Sequence, residues 1–509
     1  MSRSPEDKPP RVAFGMYKRF ALAGVLITLL TAGAVASAGL LEVDELVTIV
    51  KNESAGHVIP GLNKPGVLDG VSAGKAQTIL VLGSDRRFVD IKQDNPARSD
   101  TMMLVRLDPS KEATAVMNIP RDLKVPIQVP GGGIETTKIN AAYSYGGPAL
   151  AVKTVKSLLH IPINHVVNVN FGGFERAVNR LGCVYVDVDR RYYHSNAGVP
   201  IGQQYAEIDV PAGYQKLCGE KSLDYVRFRH ADDDFVRSAR QQDFLRQAKD
   251  QVGLGRLFGD RKELLKIFGR YTDTDLKSPT AILRLLKLAF ESSGHPIREI
   301  HFRGDIGPEF VTITPQNLEL TKQEFLHAKA SSGAREVGQS ASKKQSKKAA
   351  KKAKRTSPGL PAGVINDRTA AENLVAKASS ELPFPLYYAR ARVARGSYST
   401  DGSPRVYDIY DRQHKRYRAY RIVINAGYNG QYYGIEGMNW KSPPILDDPS
   451  EEIRMGGRKY QLFYDGNRLR LVAWRTPRAV YWVSNTLSET LTNKQMLAIA
   501  RSLGRVGVK

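Results

Sequence analysis

The sequence predicts an α/β or mixed three-layer domain followed by a smaller α+β domain, and three observations carry that expectation. Strand-like and helix-like patterns alternate from Gln77 to about residue 325, as they do where helices cover a sheet. Ile79-Leu80-Val81-Leu82 is an unbroken apolar run, the pattern of a strand buried on both faces. Beyond residue 363 the chain turns aromatic and strand-rich.

The elements follow in order. The first strand ends at Gly83-Ser84-Asp85. Thr101–Leu107 and Ala113–Ile119 are β-type runs joined by Asp108-Pro109-Ser110-Lys111, a turn by composition. Gly131-Gly132-Gly133 lacks the Gly-Lys-Ser/Thr of a phosphate loop and is expected at a hairpin tip. Pro148–His160 reads as a helix with proline in its first turn. Val166–Val169 is a strand, Gly172-Gly173 a turn, Phe174–Leu181 a helix and Val184–Val188 a strand. Helical patterns return at Lys262–Arg270 and Pro279–Ser292, and a β-type segment at Ile300–Arg303. In the second unit Tyr432–Ile435, Tyr460–Tyr464, Leu469–Trp474 and Val480–Val483 are strand-like. Asp465-Gly466-Asn467 is a hairpin signal, and Leu491–Leu503 closes the unit as a helix. Its Trp and Tyr residues suit either sugar contact or a packed sheet face.

Composition narrows the class of protein. The 509 residues leave room for two or three domains, and 42% hydrophobic with 25% charged residues is ordinary for globular protein. Two cysteines exclude a disulfide-dense scaffold and a Cys-rich zinc module. Lys and Arg number 75 against 51 Asp and Glu, and this net +24 asks for a polyanionic partner.

Topology decides which polyanion. Phe20–Leu41 carries no charge and is long enough to cross a bilayer as a helix. Arg3, Lys8, Arg11, Lys18 and Arg19 precede it, and Glu42, Asp44 and Glu45 follow. Positive residues stay inside, so residues 1–19 are expected in the cytoplasm and everything after residue 41 outside the cell membrane. Ala36-Ser37-Ala38 offers a cleavage site, but signal-peptide apolar regions run only about 7–15 residues, which favours a retained single-pass anchor. Nucleic acid is then not an expected partner. In an oxidising compartment Cys183 and Cys218 are expected to pair, the alternative being two buried thiols. Residues 42–74 read as a juxtamembrane stalk, 75–330 as the first domain, 331–362 as a basic linker and 363–509 as the second domain. The linker holds Lys343, Lys344, Lys347, Lys348, Lys351, Lys352, Lys354 and Arg355 with no acid among them. It suits a solvated tether or contact with envelope anions.

The first domain holds the residues that suit catalysis. Asp85 ends a buried strand, Asp100 opens the next in Arg98-Ser99-Asp100-Thr101, and Arg121-Asp122 follows the third. Strand ends are where α/β sheets place ligands. Two carboxylates there suit Mg²⁺, a hard cation that shares phosphate oxygens, and arginines beside them suit bidentate phosphate recognition. Further on, Asp234, Arg237 and Gln241 share one helical stripe that continues as Leu245, Ala248 and Val252. The apolar half marks the stripe as inward-facing, so its polar half needs partners. A phosphate with a metal would supply them, and so would an internal Asp234–Arg237 bridge. Lys138, in Lys138-Ile139-Asn140, offers one more charge. His160, His165 and His230 have no metal-ligand spacing.

The order of these motifs resembles the LytR–CpsA–Psr family over roughly residues 75–325. The match runs through Gly83-Ser84-Asp85-Arg86-Arg87, Arg98-Ser99-Asp100-Thr101, Ile119-Pro120-Arg121-Asp122, Lys138-Ile139-Asn140, and Arg227-Phe228-Arg229 with Asp234, Arg237 and Arg240-Gln241-Gln242. The resemblance implies a central mixed β-sheet flanked by helices, with a hydrophobic pocket for a lipid tail. It implies an extracytoplasmic phosphotransferase that moves a glycopolymer, of teichoic acid, capsule or arabinogalactan type, from a polyprenyl-diphosphate carrier to peptidoglycan. Carried over, Asp85 and Asp100 bind Mg²⁺, with Mn²⁺ as the alternative. Arg98, Arg121, Arg227, Arg229, Arg237 and Gln241 surround the diphosphate, Lys138 is a further candidate, and Asp234 orients the arginines or contacts the metal. The cysteines resemble a disulfide pair of actinobacterial members. Val125 stands where the family often has another arginine. Residues 363–509 do not match the small C-terminal domain common in the family, so the resemblance implies no role for them. No residue is an evident general base. A lipid-diphosphate pyrophosphatase would use the same site, and a non-catalytic wall-binding role would rest on the linker and the aromatic C-terminal domain.

Overall fold

The computed structural model describes, with short gaps, residues 59–84, 99–200, 206–228, 234–252, 260–276, 297–329, 359–427 and 430–507, and isolated positions elsewhere. The expected span 20–41, most of the basic linker, and Asp85, Arg98 and Arg229 lie outside the described residues. Of Asp100 and Asp234 only the backbone is described. Among the described residues no helix is long and apolar enough to cross a membrane.

The first domain is built on a mixed six-stranded sheet. Its strands are β1 (Gln77–Ser84), β2 (Ser99–Leu107), β3 (Thr114–Asn118), β6 (His165–Asn170), β11 (Thr272–Thr274) and β12 (Ile297–Ile300), in the order β11-β6-β1-β2-β3-β12. β1 runs parallel to β6 and antiparallel to β2, and β12 runs parallel to β3. The apolar run of β1 is central, as a strand covered on both faces requires. A hairpin, β4 (Lys124–Gln128) and β5 (Ile134–Lys138), leads to α1 (Ala141–Leu159). Val152, Val155 and Leu159 of α1 join Leu80, Leu82, Met102 and Leu104 in one apolar core.

A second core forms around α2 (Phe171–Arg180), β7 (Val184–Val188), the ribbon β8 (Tyr192–His194) and β9 (Ile208–Val210), β10 (Gly213–Leu217), α3 (Gly219–Arg227) and α4 (Asp234–Gln251). The helix α5 (Arg261–Tyr271) precedes β11. A short ribbon, β13 (Asp305–Ile306) and β14 (Val311–Thr312), and α6 (Pro315–Leu326) close the domain. Cys183 and Cys218 form a disulfide with a Cα–Cα distance of 4.5 Å and a sequence separation of 35.

The C-terminal domain is an eight-stranded antiparallel sheet with two helices, α7 (Arg368–Val375) and α8 (Asn493–Arg501). Small strands β15 (Val364–Asn366), β16 (Leu386–Ala389), β17 (Ala391–Val393) and β18 (Ser397–Tyr398) precede β19 (Arg405–Tyr410), β20 (Arg416–Asn425) and β21 (Tyr432–Met438). Then come β22 (Glu451–Met455), β23 (Arg458–Asp465), β24 (Arg468–Arg475) and β25 (Val480–Ser484). β26 (Leu503–Val506) pairs with β16, which ends α8 before the expected Leu503. Trp474, Trp482, Tyr420, Tyr433 and Tyr481 are all buried, so these aromatics are core and not a sugar platform.

Three expectations are corrected. Gly172 and Gly173 lie in the first turn of α2 and not in a turn before it. A Cβ on Gly173 would stand 2.6 Å from the Cβ of Tyr271, so glycine there permits helix-to-helix approach. The strand expected at Ile300–Arg303 is β12, ending at Ile300, because its partners are Thr114–Met117. Finally, α4 does not bury a single stripe. Phe235, Val236, Ala239, Gln242, Asp243 and Phe244 are buried alongside Arg237, because the C-terminal domain covers what would otherwise be the outer face.

Candidate functional site

One edge of the central sheet gathers the motifs. β1 ends at Ser84 opposite Asn170, the last residue of β6 and the residue before α2. β2 enters at the same edge. Its register with β1 jumps from Gly83↔Thr101 to Ser84↔Ser99, which leaves Asp100 as the extra residue of a β-bulge. A bulge bends its strand and re-aims a side chain, and bulges recur beside active sites. Asp100 therefore sits on the backbone directly opposite the residues that lead into Asp85.

β3 leaves the sheet at this edge and continues into Arg121. The Leu123 and Arg121 carbonyls accept from the amides of Ile139 and Asn140, at 2.8 and 3.2 Å. Two motifs far apart in sequence are thereby stitched together. Asp122, which sequence reasoning passed over, lies between the two cations: its carboxylate is 3.7 Å from Arg121 Nε and 3.0 Å from Lys138 Nζ. Lys138 is 40% exposed, so an anion has access to it. Val125 is 2% exposed on the core face of β4, and a charge at that position would be buried. Gly131, Gly132 and Gly133 all have positive φ at the β4–β5 tip, the hairpin role expected of them.

α3 and α4 close over the edge. Arg227, in the last turn of α3, donates to buried Asp224 at 2.6 Å, and its guanidinium lies 5.7 Å from the Phe171 ring at the start of α2. The i,i+3 spacing of Asp224 and Arg227 was the available signal for this brace. Phe228 is buried under Arg240, which stacks on Tyr192, Tyr225 and Phe228 and donates to the Phe228 carbonyl. Arg240 thus anchors Phe228, the residue that follows Arg227. Arg237 is 6% exposed. Gln241 is a junction: its Nε2 donates to Thr101 Oγ1 at 3.2 Å and to the Val226 carbonyl at 3.1 Å, and its Oε1 accepts from Asn118 Nδ2 at 3.1 Å. One amide ties α4 to the strand that carries Asp100, to the strand that leads to Arg121 and to the helix that carries Arg227.

Among the described residues no group of three His, Cys, Asp or Glu side chains is arranged for a metal ion. Of the two carboxylates expected to hold a hard cation, Asp85 lies outside the described residues, and the backbone of Asp100 stands in the bulge.

A mixed sheet with helices above it and cations gathered at its strand ends sets the class, and comparison sets the family. Residues 48–312, half of the chain, match the LytR_cpsA_psr family. The chain belongs to that family. It is 36% identical over 170 residues to the polyisoprenyl-teichoic acid–peptidoglycan teichoic acid transferase TagT of Bacillus subtilis, across 33% of this chain and 50% of the relative. It is 30% identical over 217 residues to the transferase TagU of Halalkalibacterium halodurans, across 42% of this chain and 66% of that protein. The chain spans about half the length of the relatives it matches. A solved structure of TagT bound to LIIa-WTA is 28% identical, with a TM-score of 0.39, across 53% of this chain and 98% of that one.

Proposed function

We propose that this protein is an extracytoplasmic phosphotransferase that moves a glycopolymer from a polyprenyl-diphosphate carrier onto a hydroxyl of peptidoglycan. The observation that carries the reading is the convergence of the Asp100 bulge, Arg121 with Lys138, and Arg227 at one sheet edge, in a chain whose relatives are named teichoic acid transferases. Phosphoryl transfer needs positioning and charge neutralisation above all. The acceptor oxygen attacks the phosphorus that bears the polymer. The bond from that phosphorus to the bridging oxygen breaks, polyprenyl phosphate leaves with the electron pair, and the hydroxyl proton passes to solvent or a carboxylate.

Asp85 and Asp100 would hold Mg²⁺, which when bound neutralises charge on the diphosphate. Arg121, Arg227, Arg229 and Arg98 would grip its oxygens, with Lys138 at the exposed side and Arg237 below. Gln241, whose amide is already committed, would hold the frame and not the phosphate. Asp234 opens the helix that carries Arg237 and would orient the arginines. Residues 20–41 would anchor the domain with its N-terminus in the cytoplasm.

The test is release of polyprenyl phosphate by residues 42–509 with Mg²⁺, a lipid-linked glycopolymer and peptidoglycan. Asp100→Ala and Arg121→Ala should each abolish release and adduct formation. Turnover unchanged in both would remove the site. Release with no peptidoglycan adduct would mean that water is the acceptor and that the enzyme is a pyrophosphatase.

A further inference from the structure

The C-terminal domain lies outside the family match, yet it is fastened to the helix that bears Arg237 and Gln241. Leu487, in the turn after β25, packs against Val236 and Ala239 in the first two turns of α4. Ser488 lines a small void with Asn118, Phe235, Ser238, Ala239 and Gln242, so the turn reaches the residue that Gln241 also holds. The turn is internally rigid. Asn485 Oδ1 accepts from the amides of Thr486 and Leu491 at 2.8 and 3.1 Å, Asn485 Nδ2 donates to the Leu469 and Leu491 carbonyls, and Thr486 Oγ1 accepts from the Thr490 amide. Lower on α4, Arg246 bridges to Asp465 of the β23–β24 hairpin at 2.7 Å, and Asp465 also meets Arg298 at 3.3 Å. A separate path runs from Tyr432 of β21 to Arg190, whose guanidinium is 5.2 Å from the Tyr432 ring and 5.4 Å from the Phe228 ring.

We propose that the C-terminal domain is a positioning element of the phosphotransferase site, and that Leu487 is its key residue. The proposal rests on the function proposed above. The rigid turn sets where the first turns of α4 sit, and so where Arg237 stands relative to Asp100 and Arg121. A site that works by positioning loses rate when a supporting element shifts, on the order of 100-fold for a displacement of about 1 Å. Leu487 packs on apolar side chains of α4, so its removal should change the rate more than the binding.

The experiment compares residues 42–509 with Leu487→Ala, Leu487→Met and Met496→Ala. Met496 is buried in the core of the C-terminal domain and touches no part of α4 that the site uses, so Met496→Ala controls for general loosening. Leu487→Ala should lower kcat on the order of 10-fold with KM for the lipid-linked donor little changed, and Leu487→Met should restore it. Hydrogen exchange supplies a readout independent of turnover: amides of residues 235–243 should exchange faster in Leu487→Ala, while those of 149–159 in α1 stay as they were. Should Leu487→Ala not fold, Leu487→Val carries the same comparison. A folded Leu487 variant with unchanged kcat and unchanged exchange at 235–243 overturns the proposal. Faster exchange at 235–243 in Leu487→Ala, with no polyprenyl phosphate released by the wild-type chain, would keep the positioning contact and discard the reaction instead.

Discussion

Gln241 shows how one side chain can organise a site without entering the chemistry. Its amide uses both ends, with Thr101, Asn118 and the Val226 carbonyl as partners. Removing it orphans part-buried groups on three segments, and each orphaned group costs about 1–3 kcal/mol. Gln241→Ala should therefore lower the denaturant midpoint and reduce turnover together, and Gln241→Glu should not rescue it, because the carboxylate cannot donate to Thr101 or to the carbonyl. Urea titration with tryptophan fluorescence measures the first effect, and release of polyprenyl phosphate the second. The charged residues at this scale split by what sequence can reveal. The strand-end placing of Asp100 and Arg121 was legible because strand ends are marked by the residues around them. Asp122 was not, because a carboxylate next to an arginine looks like any solvated loop until the β5 strand brings Lys138 within 3.0 Å.

Among the elements, α3 is held at both ends. Cys218 is its N-cap residue and is tied by the disulfide to Cys183, just before β7, while Arg227 at its far end is braced by Asp224. The bond closes a sequence separation of 35, which the chain-entropy treatment values at about 3–4 kcal/mol through the unfolded state. Cys183→Ser with Cys218→Ser should lower stability by about that amount, read as the shift in urea midpoint of residues 42–509, and the wild-type chain under reductant should match the variant. The pairing was expected from compartment and count. The two ends of α1 illustrate the opposite case. Pro148 marked a helix start correctly, but the helical segment begins at Ala141 and crosses a kink where Gly146 and Gly147 leave helical φ/ψ. Sequence pattern stops at such a break, and packing continues through it.

For the whole molecule the decisive feature is the seam between the domains. Tyr185 and Tyr214 of the first domain share an apolar core with Tyr407, Trp440, Phe463 and Trp482 of the second. At its centre Arg421, 0% exposed, meets Asp187 at 3.0 Å and Glu436 at 3.9 Å, and Trp482 Nε1 donates to Asp187 at 3.2 Å. Ending the chain at residue 330 would bare these tyrosines and leave Asp187 without its cation. That chain should bind a hydrophobic dye and self-associate, as seen by light scattering, where residues 42–509 do neither. The seam also sets a pH response. Burial holds the Glu436 carboxyl well above its ordinary 4.5; Arg421 pulls it down, Asp187 pushes it up, and Tyr407 and Arg405 pull it down. The folded chain thus holds this proton more tightly than the unfolded one. Its stabilising contribution is full below about pH 4.5 and is lost as pH rises through the folded value. Glu436→Gln should flatten that decline, so the variant gains in Tm on the wild type as pH rises above about 5; parallel Tm profiles would exclude Glu436 as the cause. Sequence by itself determined the alternation of strands and helices, the strand-end placing of Asp100 and Arg121, and the family, because these are local in pattern and in motif order. Tertiary structure alone decided that Asp100 occupies a bulge opposite Ser84, that Gln241 is a junction, and that α4 is buried on more than one face beneath a domain outside the family match. Those facts depend on contacts between residues up to about 250 positions apart, as from Val236 to Leu487, and no local pattern encodes which distant surface will cover a helix.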